Sequence, residues 1–199
     1  MIEIELKAVV DDVESARRRL ESHGAVLRFA GRLEDRRYDS PKRSLARRDQ
    51  VLRLRVYREA TGAIFQAFLD WKGRTSFASG YKEREELSAA TGDADDLARI
   101  LDRLGFQVTM AIDRSIWQYE LHHTLVRFER YPRMDDLVEV EGKPEDIERT
   151  IPIVGIPRAA FSSQRLPDFV RAFEARTGAR AALSDAELEG VVRYDISNA

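Results

Sequence analysis

Glutamates stand in two alternating pairs far apart in the chain: Glu3 and Glu5 in Ile2-Glu3-Ile4-Glu5-Leu6-Lys7, and Glu139 and Glu141 in Val138-Glu139-Val140-Glu141. In an extended strand alternate residues share a face, so the carboxylates of a pair lie about 7 Å apart at roughly 3.4 Å per residue and can reach one cation. Brought together, the four would repel, since two unit charges about 5 Å apart oppose each other by roughly 3 kcal/mol at an effective dielectric of 20. A divalent ion would remove that repulsion. All-oxygen ligation suits Mg2+ or Mn2+, while an isolated zinc site would draw on Cys or His, of which the chain has none and three.

Cations follow the same alternation. Lys7, Arg53, Arg55, Lys72, Arg114 and Arg127 each take the charged side of their own segment. Arginine grips tetrahedral oxygens through a planar fork and lysine as a point charge, so the mixture would hold phosphoryl groups from several sides. One phosphate needs fewer. Cations spread over five or six segments predict a triphosphate lying along a shared cavity.

The elements that must position these residues read mainly as strands. Alternation predicts strands over residues 2–8, 25–37, 51–56, 64–72, 81–87, 106–119, 123–131 and 137–142. In the third, Val51, Arg53 and Arg55 face one way and Leu52, Leu54 and Val56 the other. Asp11-Asp12 cap a helix with Val13, Ala16 and Leu20 at helical spacing, ended by Gly24, and Thr91-Gly92-Asp93 open another. Leu97, Ile100, Leu101 and Leu104 form the stripe of that second helix, closed by Gly105. Helices resume after Pro144, over 166–175 and over 185–192.

Hairpin-length connections favour antiparallel pairing, and eight such strands can close a barrel. The amphipathic helices need an apolar sheet surface, which Ile2, Ile4 and Leu6, Leu52, Leu54 and Val56, and Val138 and Val140 supply. Their charged neighbours must then face inward. The expected fold is α+β: a closed eight-stranded antiparallel β-barrel with a charged lumen and helices packed outside. Residues 1–180 would form this tunnel domain and 181–199 a helical tail.

Over 199 residues, Lys+Arg 33 against Asp+Glu 35 give a net charge of −2, which argues against a nucleic-acid or anionic-membrane binder held by overall charge. Without cysteine there are no disulfides, thiolate zinc sites or thiol nucleophiles. No apolar run reaches the length of a spanning helix, and the first residues lack the order of a signal peptide, so the expected compartment is the cytoplasm. The expected partner is a small-molecule triphosphate, with a homodimer left open.

Glu3-Ile4-Glu5-Leu6-Lys7 resembles the ExExK signature of the CYTH superfamily, the triphosphate tunnel metalloenzymes, which include class IV adenylyl cyclases, thiamine triphosphatases and inorganic triphosphatases. Further matches follow in order. Tyr38-Asp39-Ser40-Pro41 resembles the YFDTP turn, Leu52-Arg53-Leu54-Arg55 the LRIR strand, and Trp71-Lys72-Gly73 the lysine strand. Arg84-Glu85-Glu86-Leu87, Leu104-Gly105-Phe106, Arg114-Ser115-Ile116-Trp117 and Val138-Glu139-Val140-Glu141 complete a series spanning roughly residues 1–170. The resemblance implies a metal on Glu3, Glu5, Glu139 and Glu141, phosphates on Lys7, Arg53, Arg55, Lys72 and Arg114, and acidic tunnel positions at Glu86 and Glu129. Two departures stand out. Ile112 occupies a position where family members often carry lysine, and Arg133-Met134-Asp135-Asp136-Leu137 replaces a turn before the last glutamates.

Together these readings predict a divalent-metal-dependent triphosphatase with Lys7, Glu86 and Glu129 as its catalytic groups and Arg127 among its phosphate ligands. Cyclisation of ATP to cyclic AMP and pyrophosphate, and non-catalytic binding of nucleotide or polyphosphate, are the alternatives. The basic run from Arg32 to Arg58 reads as a phosphate-lined strand plus an exposed loop, in preference to an RNA patch. Tyr38 reads equally as core or as tunnel mouth. The 166–175 helix reads as a cover that could gate one entrance.

Overall fold

Strand β1 (Ile2–Val9) turns Leu6 and Ala8 outward to 1% and 0% exposure, and Glu3, Glu5 and Lys7 inward. The computed structural model, which describes residues 2–78 and 81–195, repeats this division around a closed sheet. The remaining strands are β2 (Val26–Asp39), β3 (Val51–Arg58), β4 (Ile64–Lys72), β5 (Ser76–Ala78), β6 (Tyr81–Ala90), β7 (Gln107–Leu121), β8 (Thr124–Arg130) and β9 (Leu137–Glu141). Eight of them neighbour one another in the order β1-β9-β8-β7-β2-β3-β4-β6, all antiparallel, and β6 pairs back to β1. Closure leaves the barrel no free edge.

The ninth strand, β5, was not expected. It pairs with the same side of β6 as β4 does, after the interruption at Gly73 to Thr75, and so prolongs the β4–β6 hairpin. The expected side-chain placement of Ile2 and residues 196–199 of the expected tail lie outside the described part.

Three apolar layers wrap the barrel. Helices α1 (Val13–Ser22) and α3 (Pro144–Val154) lay Val13, Ala16, Leu20, Ile147 and Ile151 against Leu6, Val126, Phe128, Val138 and Val140. Asp12 caps α1 by accepting the Ser15 N–H at 2.9 Å, and Asp93 caps α2 (Ala94–Arg103) through the Asp96 N–H at 2.8 Å. Helix α2 packs Leu97 and Leu101 on Tyr38, Leu54 and Val56, which puts Tyr38 in the outer core. Its expected stripe is only half used. Ile100 and Leu104 remain 53% and 68% exposed because a convex barrel touches a narrower strip of helix than a flat sheet would.

The third layer closes over the barrel end near β7 and β9. Phe169 and Val170 of α4 (Leu166–Thr177) meet Met110, Ile112, Tyr131 and Leu137, joined by Ala181 and Leu183. The segment after α4 is seated by backbone bonds, Arg133 with Ala182 in both directions and the Asp113 N–H to the Leu183 carbonyl at 2.8 Å. The last helix, α5 (Asp185–Leu188), has four residues where eight were expected, and Gly190 follows in a left-handed conformation.

Candidate functional site

Inward-facing residues on all eight barrel strands meet in the lumen as a chain of ion pairs. On β3, Arg53 reaches Asp70 of β4 at 3.1 Å, Glu86 of β6 at 3.1 Å and Asp35 of β2 at 3.4 Å. Arg55 bonds the same Asp70, which is fully buried and also accepts from Ser88 at 2.6 Å. Lys72 holds Glu3 at 2.5 Å and Glu86 at 3.2 Å. Lys7 lies between Glu5 at 2.7 Å and Glu139 at 2.6 Å. Glu129 takes Arg114 at 2.9 Å, Arg127 at 3.1 Å and the Tyr131 hydroxyl at 2.5 Å, while Arg127 also bonds Glu139. All twelve residues singled out in the sequence border the lumen.

The lumen has two chambers that share Glu3 and Arg127. The first is lined by eight cationic side chains, Lys7, Arg37, Arg53, Lys72, Arg84, Arg114, Arg127 and Arg165, and five carboxylates, Glu3, Glu5, Asp35, Glu129 and Glu139. Packed together, they leave only about 90 Å³ of free space. The second chamber is about 460 Å³ and is walled by Tyr57, Phe68, Leu125, Gln66 and Gln118, with Arg55, Glu86 and Glu141. Next to it Phe29, Leu33, Tyr57 and Ile116 form an apolar cluster, so the lumen is not charged throughout. A larger cleft of about 640 Å³, between α4 and the C-terminal segment, shares no residue with either chamber.

Electrostatics separate the carboxylates. Burial works against charge on Glu129, but Arg114, Arg127 and Lys7 outweigh it and hold its pKa down at about 2. Glu86 is likewise lowered against burial, by Lys72 and Arg53. Burial opposes charge on Lys7 too, yet Glu139, Glu5 and Glu129 raise its pKa. Glu141 behaves in the opposite way. Burial comes first and the neighbouring charges of Glu3 and Glu139 second, and together they push it up to about 7.

These differences bear on a metal. The expected repulsion among Glu3, Glu5, Glu139 and Glu141 is met here by Lys72, Lys7 and Arg127 for three of them. Among the described residues no three Asp, Glu or His side chains stand together closely enough to clasp an ion as placed. The donor chemistry nonetheless fits a hard divalent ion. Glu5 and Glu141 are cross-strand partners, and Glu141 has no ion pair among the described residues, with Arg127 too little to offset burial and the neighbouring Glu3 and Glu139.

Several lumen residues escaped the sequence reading: Asp35, Arg37, Asp70, Arg84, Tyr131, Gln118 and Arg165. On β2 the run Glu34-Asp35-Arg36-Arg37 is charged on both faces, which hides its parity. Outside, Glu34 pairs with Arg58 at 3.1 Å and Arg36 with Asp113 at 2.6 Å. Inside lie Asp35 and Arg37, and only the register that sets Arg37 opposite Arg53 tells them apart. Arg165, at the start of α4, pairs with Asp49 at 3.1 Å, whose carbonyl also accepts from Arg84 at 2.8 Å, and this clasp ties the covering helix to the rim. His122 and His123 occupy the tight β7–β8 turn at positive φ, away from the lumen.

Residues 1–153 match the sequence model of the CYTH domain. The chain belongs to the CYTH family. A Vibrio parahaemolyticus protein described as a candidate adenylate cyclase shares the fold, with a TM-score of 0.73 at 14% identity over 86% of this chain and 98% of that one. A Pyrococcus horikoshii protein aligns with a TM-score of 0.68 and 21% identity over 85% and 98%. A Hippeastrum candidate adenylyl cyclase, described as revealing a dominant triphosphatase activity, aligns with a TM-score of 0.57 and 16% identity over 92% and 98%. No curated protein sequence matches. The CYTH match ends inside α3, so Arg165 and Leu166, which complete the first chamber, lie beyond it.

Proposed function

We propose that the protein is a divalent-metal-dependent triphosphatase whose substrate lies along the barrel lumen. One observation carries this reading: eight cationic side chains from distant parts of the chain converge on one chamber, where a polyphosphate can take the place of their carboxylate partners. Membership of a family whose structural relatives include proteins described as cyclase candidates and as a triphosphatase supports it.

Glu3, Glu5, Glu139 and Glu141 would hold Mg2+ or Mn2+, which when bound neutralises charge on the phosphoryl oxygens. Lys7, Arg53, Arg55, Lys72, Arg114 and Arg127 bind the phosphates by exchanging carboxylate partners for phosphate oxygens. Because they are already ionised and aimed inward, they need little reorganisation as charge develops in the transition state. Glu129, held fully ionised, pins Arg114 and Arg127 and does not trade protons at neutral pH. Glu86 stays ionised beside Lys72 and Arg53 and would accept a hydrogen bond from the attacking water.

The second chamber favours an organic triphosphate and keeps cyclisation of ATP as the alternative. Its walls offer the rings of Tyr57 and Phe68, and the Gln118 Oε1 is buried there without a hydrogen-bond partner. A screen of tripolyphosphate, thiamine triphosphate and ATP with Mg2+ and with Mn2+ separates the readings. Orthophosphate release, lost on chelation and in Glu5→Ala, is the expected result. Cyclic AMP with pyrophosphate establishes the cyclase instead, and tight binding without turnover under either metal establishes a binder.

A further inference from the structure

Among the described residues, Arg37 is a cation of the first chamber that enters neither the ion-pair chain nor the Asp49 clasp. It projects from β2 with its Nε buried and without a hydrogen-bond partner, and among the described residues it makes no ion pair. Its cross-strand neighbour on β3 is Arg53, a like charge directly opposite, which destabilises a sheet. On the other side its neighbour is Met110 of β7, and Ile112 next along that strand is apolar. Burial draws the Arg37 pKa down to about 10, with Asp35 resisting and Arg53, Arg114 and Arg84 adding to the fall.

A second orphan lies on the same wall. Arg114 has its Nη1 buried without a hydrogen-bond partner, 4.0 Å from the Asp35 Oδ2 that Arg53 already engages. Two guanidiniums from adjacent strands therefore present unsatisfied donors to one chamber, where buried donors are ordinarily satisfied. Asp35 stands between their levels with its own Oδ1 buried and unbonded, and a polyanion running past it would meet both donors and relieve the repulsion between Arg37 and Arg53.

The position also gives direction. Arg37 sits level with Arg53, which is four residues, about 13 Å at roughly 3.3 Å per residue, from Tyr57 in the second chamber. We infer that Arg37 forms the subsite for the terminal phosphoryl group, at the end of the lumen farthest from the aromatic chamber, with Arg114, which stands opposite Leu33 and reaches toward Asp35, next along the phosphate chain. This inference rests on the triphosphate reading. It assigns a substrate orientation: any organic group lies by Tyr57 and Phe68, and the free end of the phosphate chain lies at Arg37.

Calorimetric titration with tripolyphosphate, ATP and ADP tests it in the full chain, for wild type, Arg37→Gln, Arg37→Lys and Arg53→Gln. Arg37→Gln is expected to weaken ATP and tripolyphosphate binding by roughly 10- to 100-fold, the scale of a charge-assisted hydrogen bond, and ADP binding far less. Arg37→Lys recovers part of the loss. The ligand-free melting temperature of Arg37→Gln stays level or rises, since a charge facing Arg53 is gone. If Arg37→Gln keeps the wild-type preference for ATP over ADP while Arg53→Gln loses tripolyphosphate, the subsite is wrong and the triphosphate reading stands. A loss equal for ATP and ADP, with a lowered melting temperature shared by Asp195→Asn in the small cavity on the other side of Arg37, makes Arg37 a packing residue and overturns the subsite. If wild type binds none of the three ligands, both readings fall.

Discussion

Glu141 and Glu129 are glutamates within the same barrel, yet one is pushed up to about 7 and the other held at about 2. The difference is the company each keeps: two arginines and a tyrosine hydroxyl bond Glu129, whereas burial and other carboxylates surround Glu141. A raised carboxyl pKa stabilises the fold fully below the unfolded value, near 4.3, and the contribution is lost as pH rises through about 7. Metal-free protein is therefore expected to lose stability between about pH 4.5 and 7.5, by at most roughly 4 kcal/mol from this group. Urea denaturation at intervals across that range, compared with Glu141→Gln, measures the effect. A variant whose profile parallels that of the wild type would show that Glu141 does not titrate there.

At the scale of elements, β2 is the strand whose local chemistry most constrains the lumen. It pairs with β7 over most of its length, with register shifts between Leu27 and Phe29 and between Arg37 and Tyr38. Gly31 lies between them, where a Cβ would stand 2.2 Å from the Arg58 carbonyl oxygen and 2.7 Å from the Phe29 ring. The backbone oxygen cannot move without breaking the β2–β3 ladder, so the close approach requires glycine. Gly31→Ala is expected to cost about 2 kcal/mol or more and to lower the melting temperature by several degrees. An unchanged thermal midpoint would mean that the strand bends elsewhere.

For the whole molecule, the lumen is a device for keeping charge enclosed before a ligand arrives. Most of its cations are paired to carboxylates, and on the proposed reading phosphate oxygens replace those partners. Burying unlike charges in this way adds little net stability, because desolvation offsets their attraction. A polyanion that replaces the carboxylates should therefore stabilise the fold by mass action alone. At about 100 times its dissociation constant, tripolyphosphate adds roughly 2.7 kcal/mol, which for a chain of this size shifts the melting temperature by about 5–10 °C. Differential scanning fluorimetry with tripolyphosphate against sulfate at equal ionic strength checks this. Equal shifts from both would reduce the lumen to a general anion trap.

Alternation with turn signals predicted the eight barrel strands, and alternation alone the inward side of Glu3, Glu5, Lys7, Arg53, Arg55, Glu139 and Glu141, because a period of two with apolar residues on one face admits a single orientation against a helix layer. Where both faces are charged, as at Glu34 to Arg37, the period is silent and only pairing with β3 and β7 assigned Asp35 and Arg37 to the lumen. Ion-pair partners were likewise beyond local reading: that Lys72 meets Glu3, and that Arg127 shares Glu129 with Arg114, depends on strands far apart in the chain. Side-chain type and spacing are local properties. Which charge faces which is a property of closure, and it exists only once β6 has paired with β1.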